Sequence, residues 1–552
     1  MRRDLDYLAD NLFDVVIIGG GVHGCVLFRQ LAETGARVAL LEKDDFGGGT
    51  SANSLKILHG GLRYLQHLNI KRIRDSVYSR KSFMQVAPEL IQPLPCVIPT
   101  SGFGVKGKSV MAVALKLFDL LSWDRNHHAP DHNRVGRGTL LSKAQLQKIA
   151  PQLNTAQLTG GALWYDDLIL NTERMSLAFV KAGCAAGGTA ANYLKVGKLN
   201  RDQNRISGTE VTDQLSGRSF TVRGRMMINV AGPWTDEIPN DSSRAHSTED
   251  LAKAINIVVD RQLFGGYGIG LESSDAAQDQ DAKIKRSNRL FFFVPWKDRT
   301  IIGTTYSFYD GRCDELRVED WEIDDIIKEV NAIYPGAALD RASVVSSHAG
   351  LLPAHKPEGT TRNGTPQLLK TPKIIDHEKS EGLAGLLTIT GVKYTTAPAI
   401  ALEVEKLLQG KSLIPTQSHK NGLGGFAADI PAGPDTHQLF QRYPHLQQSY
   451  GSYSTAILDI IAKEADAAAP LLGEVPLLKA EVLYAVREEM AMKLSDVILR
   501  RTDCGSGGCP PRQELQQVTA LMADELNWSE DRQNQEIDQL RSYYHSRQGR
   551  QQ

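Results

Sequence analysis

The sequence has few cysteines and almost no net charge. Six cysteines among 552 residues are too few for a disulfide-stapled scaffold, which favours a reducing compartment. The 63 Lys and Arg residues are balanced by 64 Asp and Glu residues, which gives no indication of a nucleic-acid-binding protein or of an acidic tail. Disordered, collagen-like and coiled-coil proteins are excluded by the same composition.

Long hydrophobic runs are also missing. No window holds about 18 consecutive apolar residues, so no transmembrane helix is expected. The first residues, MRRDLDYLADNLFD, are charged and lack the apolar centre of a signal peptide. We therefore expect a cytoplasmic protein, which leaves attachment to the inner face of the cytoplasmic membrane open.

The order of the predicted elements indicates a mixed α/β protein with a helical end. Strand-like and helix-like patterns alternate through residues 14–405. Polar stretches at 124–138 and 273–288 are predicted as surface loops. We predict a catalytic region at 1–410, a Gly- and Pro-containing linker at 411–435 and a helical domain at 436–552.

A dinucleotide-binding pattern opens the α/β region. Asp14–Ile18 is a short apolar run typical of a buried parallel strand, and Gly19, Gly21 and Gly24 follow it as G-x-G-x-x-G. A helical stretch and a second apolar run lead to Glu42, 18 residues after Gly24, where a carboxylate would accept ribose hydroxyls. The pattern alone does not separate NAD from FAD. The small residues of KDDFGGGTSANSLKILHGGLRYL favour a flavin, because they let the backbone approach a large planar cofactor.

Several longer segments resemble the FAD-dependent glycerol-3-phosphate dehydrogenase family. They are GGGVHG, EKDDFGGGTS, SLKILHGGLRYL, NVAGPWTDEI, FFFVPWKDRTIIGTTY, LLTITGVKYTT and KLSDVILRRT. The resemblance covers nearly the whole chain. It implies an FAD-binding Rossmann-like domain, a substrate domain with a mixed sheet and an all-helical C-terminal domain. It also implies oxidation of a secondary alcohol, glycerol 3-phosphate to dihydroxyacetone phosphate, by hydride transfer to FAD.

The resemblance further implies an electron acceptor and a location. Family members pass electrons to membrane quinone or, in the oxidases, to oxygen, and the quinone-linked members are peripheral membrane proteins. The segment 106–123 has a broad apolar face and is either a core helix or a helix that lies in a bilayer surface. The basic run from Lys71 would assist on anionic lipid, or it is a solvated helix face. A homodimer is one prediction for the assembly.

The family motifs assign roles to individual residues of this sequence. By resemblance, FAD is bound by Gly19, Gly21, Gly24, Glu42, Ser51, Ser54, Leu58, Gly60, Gly61 and Gly391. Arg63, in HGGLRYL, would face the substrate, and Lys393 would lie near the reacting carbon and the flavin. A cation at Lys393 would stabilise negative charge on the reacting oxygen or on the reduced flavin.

Three departures from the family concern the substrate. In HAGLLPA, Leu352 occupies the position of an arginine that binds the substrate phosphate, and leucine cannot make that contact. Downstream, only Lys370 or Lys373 is available to replace a second arginine. Asn256 occupies the position of a histidine that is a candidate base, and an amide cannot take up the proton.

Two histidines flank the altered motif. His348 and His355 are candidates for the missing base, although a partly buried histidine that is hydrogen-bonded to backbone is the more common case for each. The departures also leave two alternatives open. One is the same flavoenzyme fold acting on a different, unphosphorylated alcohol or amine, and the other is a non-catalytic flavin-binding protein.

Other clusters predict no further site. His127, His128 and His132 lie in a loop without the cysteine or acid pattern of a metal centre, so no metal is expected. Cys504 and Cys509 have no second pair that would complete a zinc site, and we expect free thiols.

Overall fold

The structure is a computed structural model that describes residues 1–67, 69–102, 107–127, 129–154, 156–238, 250–273, 290–355, 366–416, 440–471 and 477–548. The side chains of Arg63, Gln66, His67 and Gln548 lie outside the described part. So do most of the predicted linker at 411–435 and nearly all of the predicted loop at 273–288.

The strands of the described chain form two sheets. They are β1 (Leu12–Ile18), β2 (Val38–Leu41), β3 (Ile57–Leu58), β4 (Ile91–Ser101), β5 (Thr139–Ser142), β6 (Leu158–Ile169), β7 (Thr189–Ala191), β8 (Leu194–Asp202), β9 (Arg205–Asp213), β10 (Ser219–Asn229), β11 (Asp250–Val259), β12 (Gly268–Glu272), β13 (Leu290–Trp296), β14 (Arg299–Tyr309), β15 (Val344–His355), β16 (Gln367–Leu368), β17 (Lys373–Asp376) and β18 (Leu386–Thr390).

The first sheet has a parallel centre. Strands β7, β2, β1, β10 and β18 lie side by side in that order and run parallel. Val15, Val16 and Ile17 of β1 are fully buried, as expected for a strand covered on both faces. Strand β17 pairs antiparallel with β18, and the β8–β9 hairpin pairs antiparallel with β10. The carboxyl ends of β1 and β2 therefore meet at one edge, where open α/β sheets bind ligands.

The second sheet is mixed and mostly antiparallel. Its order is β16–β15–β11–β14–β13–β12–β4–β6–β3, and β5 pairs with β6. Only β12 and β4 pair in parallel among these described strands. Phe291 and Phe293 of β13 and Ile302 of β14 are buried on one face of this sheet. The predicted mixed sheet is confirmed.

The helices of the described chain cover the sheets and then form a domain of their own. They are α1 (Leu5–Asp10), α2 (Val22–Ala32), α3 (Ile70–Val86), α4 (Lys108–Leu121), α5 (Lys143–Ile149), α6 (Thr172–Ala185), α7 (Asp320–Ile333), α8 (His377–Glu381), α9 (Ala397–Gly410), α10 (Pro444–Tyr450), α11 (Ser454–Lys463), α12 (Lys479–Glu489), α13 (Leu494–Asp496), α14 (Arg512–Leu526) and α15 (Glu530–Gln548).

A buried ion cluster joins the helical C-terminal part to α6. Glu489, at the end of α12, accepts hydrogen bonds from Arg174 (3.1 and 3.2 Å) and Lys181 (2.7 Å) of α6. All three residues are buried. Burial alone would raise the pKa of Glu489, but the two cations outweigh it and hold the pKa at about 2. The carboxylate is therefore ionised at neutral pH and ties the helical domain to the catalytic region.

A second buried contact reaches the loop that follows β2. Asp45 accepts bonds from Arg501 (2.6 and 2.8 Å) and from Nε of Arg500 (2.6 Å). Asn192 donates a further bond to Asp45 (2.9 Å). The helical domain thus fixes the loop that carries Glu42 and Asp45.

Candidate active site

The turn between β1 and α2 has the geometry of a phosphate-binding turn. Gly19 adopts a left-handed conformation (φ +109°) that favours glycine. A Cβ atom built on Gly24 would lie 1.8 Å from the carbonyl oxygen of Gly19, so the helix packs this closely only with glycine there. Gly21 caps α2 without a side-chain hydrogen bond, which leaves a helix N-terminus to receive phosphate.

Glu42 lies at the end of β2, beside this turn. Its carboxylate accepts bonds from the backbone N–H groups of Gly20 (2.5 Å) and Asp44 (2.7 Å). Burial raises the pKa of Glu42 to about 7. The carboxylate also lines the large cavity described below, where ribose hydroxyls would donate to it.

The segment after β2 packs against the N-terminus of α2. Ser51 accepts a hydrogen bond from the backbone N–H of Val22 (2.9 Å), and Ser51 and Ser54 both line the cavity. A Cβ atom on Gly21 would lie in ordinary van der Waals contact with the hydroxyl oxygen of Ser51 (3.4 Å), so the serine lies directly beside the turn. These residues fit the pyrophosphate and ribose of a dinucleotide cofactor.

One cavity of about 1400 Å³ extends from this turn to the second sheet. The predicted site residues that line it are Gly19, Gly21, Glu42, Ser51, Ser54, Gly61, Asn256, Lys370, Gly391 and Lys393. Those predicted residues that do not line it are Gly24, Leu58, Gly60, His348 and Lys373. Arg63 lies in the 3-10 turn Leu62–His67, but its side chain is outside the described part of the chain.

Asn256 makes two hydrogen bonds that fix its side chain in the cavity wall. Its amide NH₂ donates to the backbone oxygen of Asn53 (3.3 Å), and its amide oxygen accepts from the hydroxyl of Thr304 (2.7 Å). Asn256 therefore connects β11 to the Ser51–Ser54 segment and to β14. Because an amide cannot act as a base, its place in the cavity wall is that of a positioning group.

Lys393 contacts an aromatic residue of the HGGLRYL segment. Its ammonium group donates to the hydroxyl of Tyr64 (3.2 Å) and lies 5.0 Å from the centre of the Tyr64 ring. The two residues are 329 positions apart in the sequence and meet in the cavity wall. The lysine therefore brings a positive charge to this part of the cavity wall.

A histidine–carboxylate pair was not predicted from the sequence. His59 lines the cavity, and its Nδ1 lies 3.4 Å from Oδ2 of Asp166. Asp166 is nearly buried and also accepts a bond from the backbone N–H of Gly60 (2.7 Å). When the Nδ1 proton is shared with Asp166, Nε2 of His59 is the basic atom. The histidine of this pair is the first residue of the HGGLRYL motif. Its partner Asp166 lies 107 residues further along the chain, so the motif alone does not indicate the pair.

The structure does not bring His348 to the cavity. Its ring packs on Trp296 (6.3 Å between centres), and its Nδ1 has no hydrogen-bond partner among the described residues. Burial and the charges of Lys56 and Arg547 hold the pKa of His348 well below its usual range. On the same strand Gly350 and Leu352 line the cavity, and Thr50, which also lines it, lies close to Gly350. His355, at the other end of the motif, does line the cavity.

The two lysine candidates for the phosphate separate in the structure. Lys370 lines the cavity, and so does Leu352. Lys373 begins β17 and is exposed outside the cavity. Of the two, only Lys370 lies in the cavity wall.

The fold and this cavity define an FAD-dependent oxidoreductase. A family profile described as FAD dependent oxidoreductase matches residues 14–407, and one described as the C-terminal domain of alpha-glycerophosphate oxidase matches residues 436–533. The chain belongs to the FAD-dependent glycerol-3-phosphate dehydrogenase family.

Named relatives match over most of their length. A glycerol-3-phosphate dehydrogenase of Mycobacterium leprae is 30% identical over 89% of this chain and 80% of its own length. One of Synechocystis is 28% identical over 98% of each chain. The crystal structure of a glycerol-3-phosphate dehydrogenase from Bacillus halodurans, complexed with FAD, has a TM-score of 0.72 and 22% identity, and covers 99% of this chain and 97% of that chain.

Proposed function

We propose that this protein oxidises glycerol 3-phosphate to dihydroxyacetone phosphate with FAD as hydride acceptor. The observation that carries the proposal is the cavity of about 1400 Å³, which is lined by the dinucleotide turn at one end and by Lys393, Lys370 and His59 elsewhere. Bound FAD supplies the acceptor for the hydride that leaves the secondary carbon. The described side chains must then take up the hydroxyl proton and hold the substrate.

The geometry supports His59 as the proton acceptor. Its Nε2 is left basic when Nδ1 faces Asp166, and the ring lines the cavity. Asp166 orients the ring and stabilises the imidazolium that forms. Lys393 brings a positive charge that stabilises the oxygen as it loses its proton.

Anaerobic stopped-flow mixing with glycerol 3-phosphate tests this assignment. H59Q should slow reduction of the flavin by about 100-fold or more, the usual contribution of a general base, while the flavin content is unchanged. D166N should slow reduction as well, because the ring loses its orienting carboxylate. Unchanged rates in H59Q, with a loss in H355Q instead, would contradict the assignment and identify His355 as the base.

A membrane surface is the second part of the proposal. Helix α4 and the residue that follows its C-cap present an exposed apolar stripe with helical spacing: Val110 (43% exposed), Val113 (67%), Leu117 (41%), Leu120 (68%) and Trp123 (78%). The opposite face of α4 buries Phe118 against Leu65 and Ile73. Contiguous exposed apolar surface often marks an interaction surface.

Charge near the stripe favours an anionic bilayer. Lys116 of α4 and Lys71 of α3 are exposed, and α3 is joined to α4 by a hydrogen bond from Arg74 to the carbonyl of Leu121 (3.0 Å). We infer that α4 lies in the surface of the cytoplasmic membrane and that electrons pass to quinone there. Within the described residues, no helix has the length and hydrophobicity to cross a bilayer.

Cosedimentation with anionic lipid vesicles tests the surface. W123E should abolish binding, because it places a charge in the apolar stripe, whereas W321E should not. Trp321 is the matched control because it is a similarly exposed tryptophan (61%) on α7. Equal binding of both variants would contradict the assignment.

The homodimer stays a prediction, which sedimentation velocity in detergent would test.

Leu352 favours one alternative substrate class, an unphosphorylated alcohol. A leucine in the cavity wall provides no charge for phosphate. If glycerol reduces the flavin as efficiently as glycerol 3-phosphate, the alternative is correct. The proposal requires a strong preference for the phosphate ester.

A further inference from the structure

We propose that Arg72 and Lys370 together bind the phosphate group of the substrate in place of the arginine that Leu352 replaces. The inference deepens the proposed function and rests on it, since it names the residues that recognise the phosphate. Both residues line the cavity, and they come from separate segments, α3 and the residues just after β16.

The first step is the position of Lys370 relative to Leu352. Strands β15 and β16 pair antiparallel, with Ala354 opposite Leu368. The backbone N–H of Leu369 donates to the carbonyl of Pro353 (2.9 Å), which continues the pairing. In this register Lys370 comes opposite Leu352, and opposite residues in an antiparallel pair share a face. The segment after β16 therefore places Lys370 beside Leu352, the position on β15 where the family has an arginine.

The second step is the position of Arg72. Its guanidinium donates to the hydroxyl of Thr371 (2.8 Å), the residue directly after Lys370. Arg72 thus approaches the same end of the cavity from α3, across 299 residues of sequence. The Thr371 hydroxyl is neutral, so this contact orients the guanidinium without cancelling its charge. Planar guanidinium groups bind phosphate oxygens through paired N–H donors.

The third step is the link to the reacting end. The Arg72 guanidinium lies 5.7 Å from the centre of the Tyr64 ring, and the Lys393 ammonium lies 5.0 Å from the same centre. One aromatic ring therefore holds both cations beside the same stretch of cavity wall. A substrate whose phosphate contacts Arg72 and Lys370 would reach Lys393 with its alcohol end.

These contacts explain why Leu352 is compatible with a phosphorylated substrate. An arginine at 352 would stand beside Lys370 and repel it, whereas leucine gives the lysine an apolar neighbour for its methylene stem. The phosphate is then recognised by cations that lie around Leu352. Comparison with the family identified Lys370 only as one of two candidates, and Arg72 lies outside the motifs that carry the resemblance.

The test is anaerobic flavin reduction by glycerol 3-phosphate and by glycerol in R72Q and K370Q. The substrate concentration that gives half the maximal rate should rise by about tenfold or more in each variant, because each loses a charged hydrogen-bond donor to phosphate. The maximal rate with glycerol 3-phosphate and the rate with glycerol should change little, since neither residue acts on the alcohol. R74Q is the matched control on the same helix, because Arg74 is paired with Asp124 (2.6 and 3.0 Å) and does not line the cavity.

A rescue variant distinguishes binding from damage to the fold. L352R in the K370Q background should lower the half-saturating concentration again, because it returns a cation to the same face of the cavity. If the wild type is reduced but R72Q and K370Q keep its half-saturating concentration, or if K373Q alone raises it, the Arg72–Lys370 site is overturned and the proposed function stands. If glycerol 3-phosphate does not reduce the wild-type flavin at all, the proposed function itself is overturned.

Discussion

Removal of Arg501 should weaken the contact between the helical domain and the loop that follows β2. Its guanidinium makes two bonds to Asp45 (2.6 and 2.8 Å) and two to the carbonyl oxygen of Glu489 (3.0 and 2.8 Å), and its side chain is 1% exposed. Removing one partner of a buried ion pair costs about 3–5 kcal/mol. Because Arg500 also contacts Asp45, we expect R501Q to lose about 3 kcal/mol of unfolding free energy, the lower end of that range.

Urea unfolding of the holoenzyme, followed by flavin release and by tryptophan fluorescence, measures this loss. The control is R512Q, which removes an exposed pair with Asp538 (2.9 Å) in the same helical domain. That variant should change the free energy by about 1 kcal/mol or less. R501Q should also release flavin at lower urea, because Asp45 follows Glu42 in the loop that lines the cavity. A loss in R501Q no larger than that of the control would refute the reasoning.

The effect should depend on pH in one direction. Burial alone would raise the pKa of Asp45, but Arg501 and Arg500 outweigh it and hold the pKa well below its usual range. A carboxyl group of this kind stabilises the fold above its unfolded pKa, and the stabilisation is lost as the pH falls through the folded value. The difference between wild type and R501Q should therefore be constant near neutral pH and shrink in strongly acidic solution.

Two further predictions concern the cofactor. G24A should abolish FAD binding, because its Cβ would lie 1.8 Å from the Gly19 carbonyl oxygen. G410A is the control and should retain FAD, because Gly410 has open space around it. The flavin-to-protein ratio after purification compares the two variants. FAD affinity should fall as the pH is lowered from about 8 to about 6, because the pKa of Glu42 is about 7 and a protonated carboxyl accepts ribose hydroxyls less well. E42Q should bind weakly across this range without the pH dependence, and a pH dependence retained in E42Q would exclude Glu42 as its source.

The dinucleotide end of the site was predictable because its residues are local in sequence. Gly19, Gly21 and Gly24 follow one strand within six positions, and the geometry that they need is set by backbone sterics. Glu42 follows the next strand of a parallel sheet, so its place beside the turn is a consequence of topology. The alternation of elements likewise predicted the α/β class and the helical C-terminal domain.

The substrate end was not predictable to the same degree, because its contacts join distant segments. The position of Lys370 opposite Leu352 depends on the register of two strands, and Arg72 reaches them from a helix almost 300 positions earlier. His348 was chosen for its closeness in sequence to Leu352. Strand periodicity predicts which face of the sheet a residue lies on, but not the point along the strand at which the cavity ends. Gly350 and Leu352 line the cavity, whereas His348 packs on Trp296 outside it.

Anaerobic mixing of the purified holoenzyme with glycerol 3-phosphate tests the central claim most directly. Bleaching of the flavin absorbance should be accompanied by one dihydroxyacetone phosphate per flavin, because the alcohol loses one hydride and one proton. Glycerol at the same concentration should bleach the flavin far more slowly. A flavin that dithionite reduces but that millimolar glycerol 3-phosphate leaves oxidised would contradict the account.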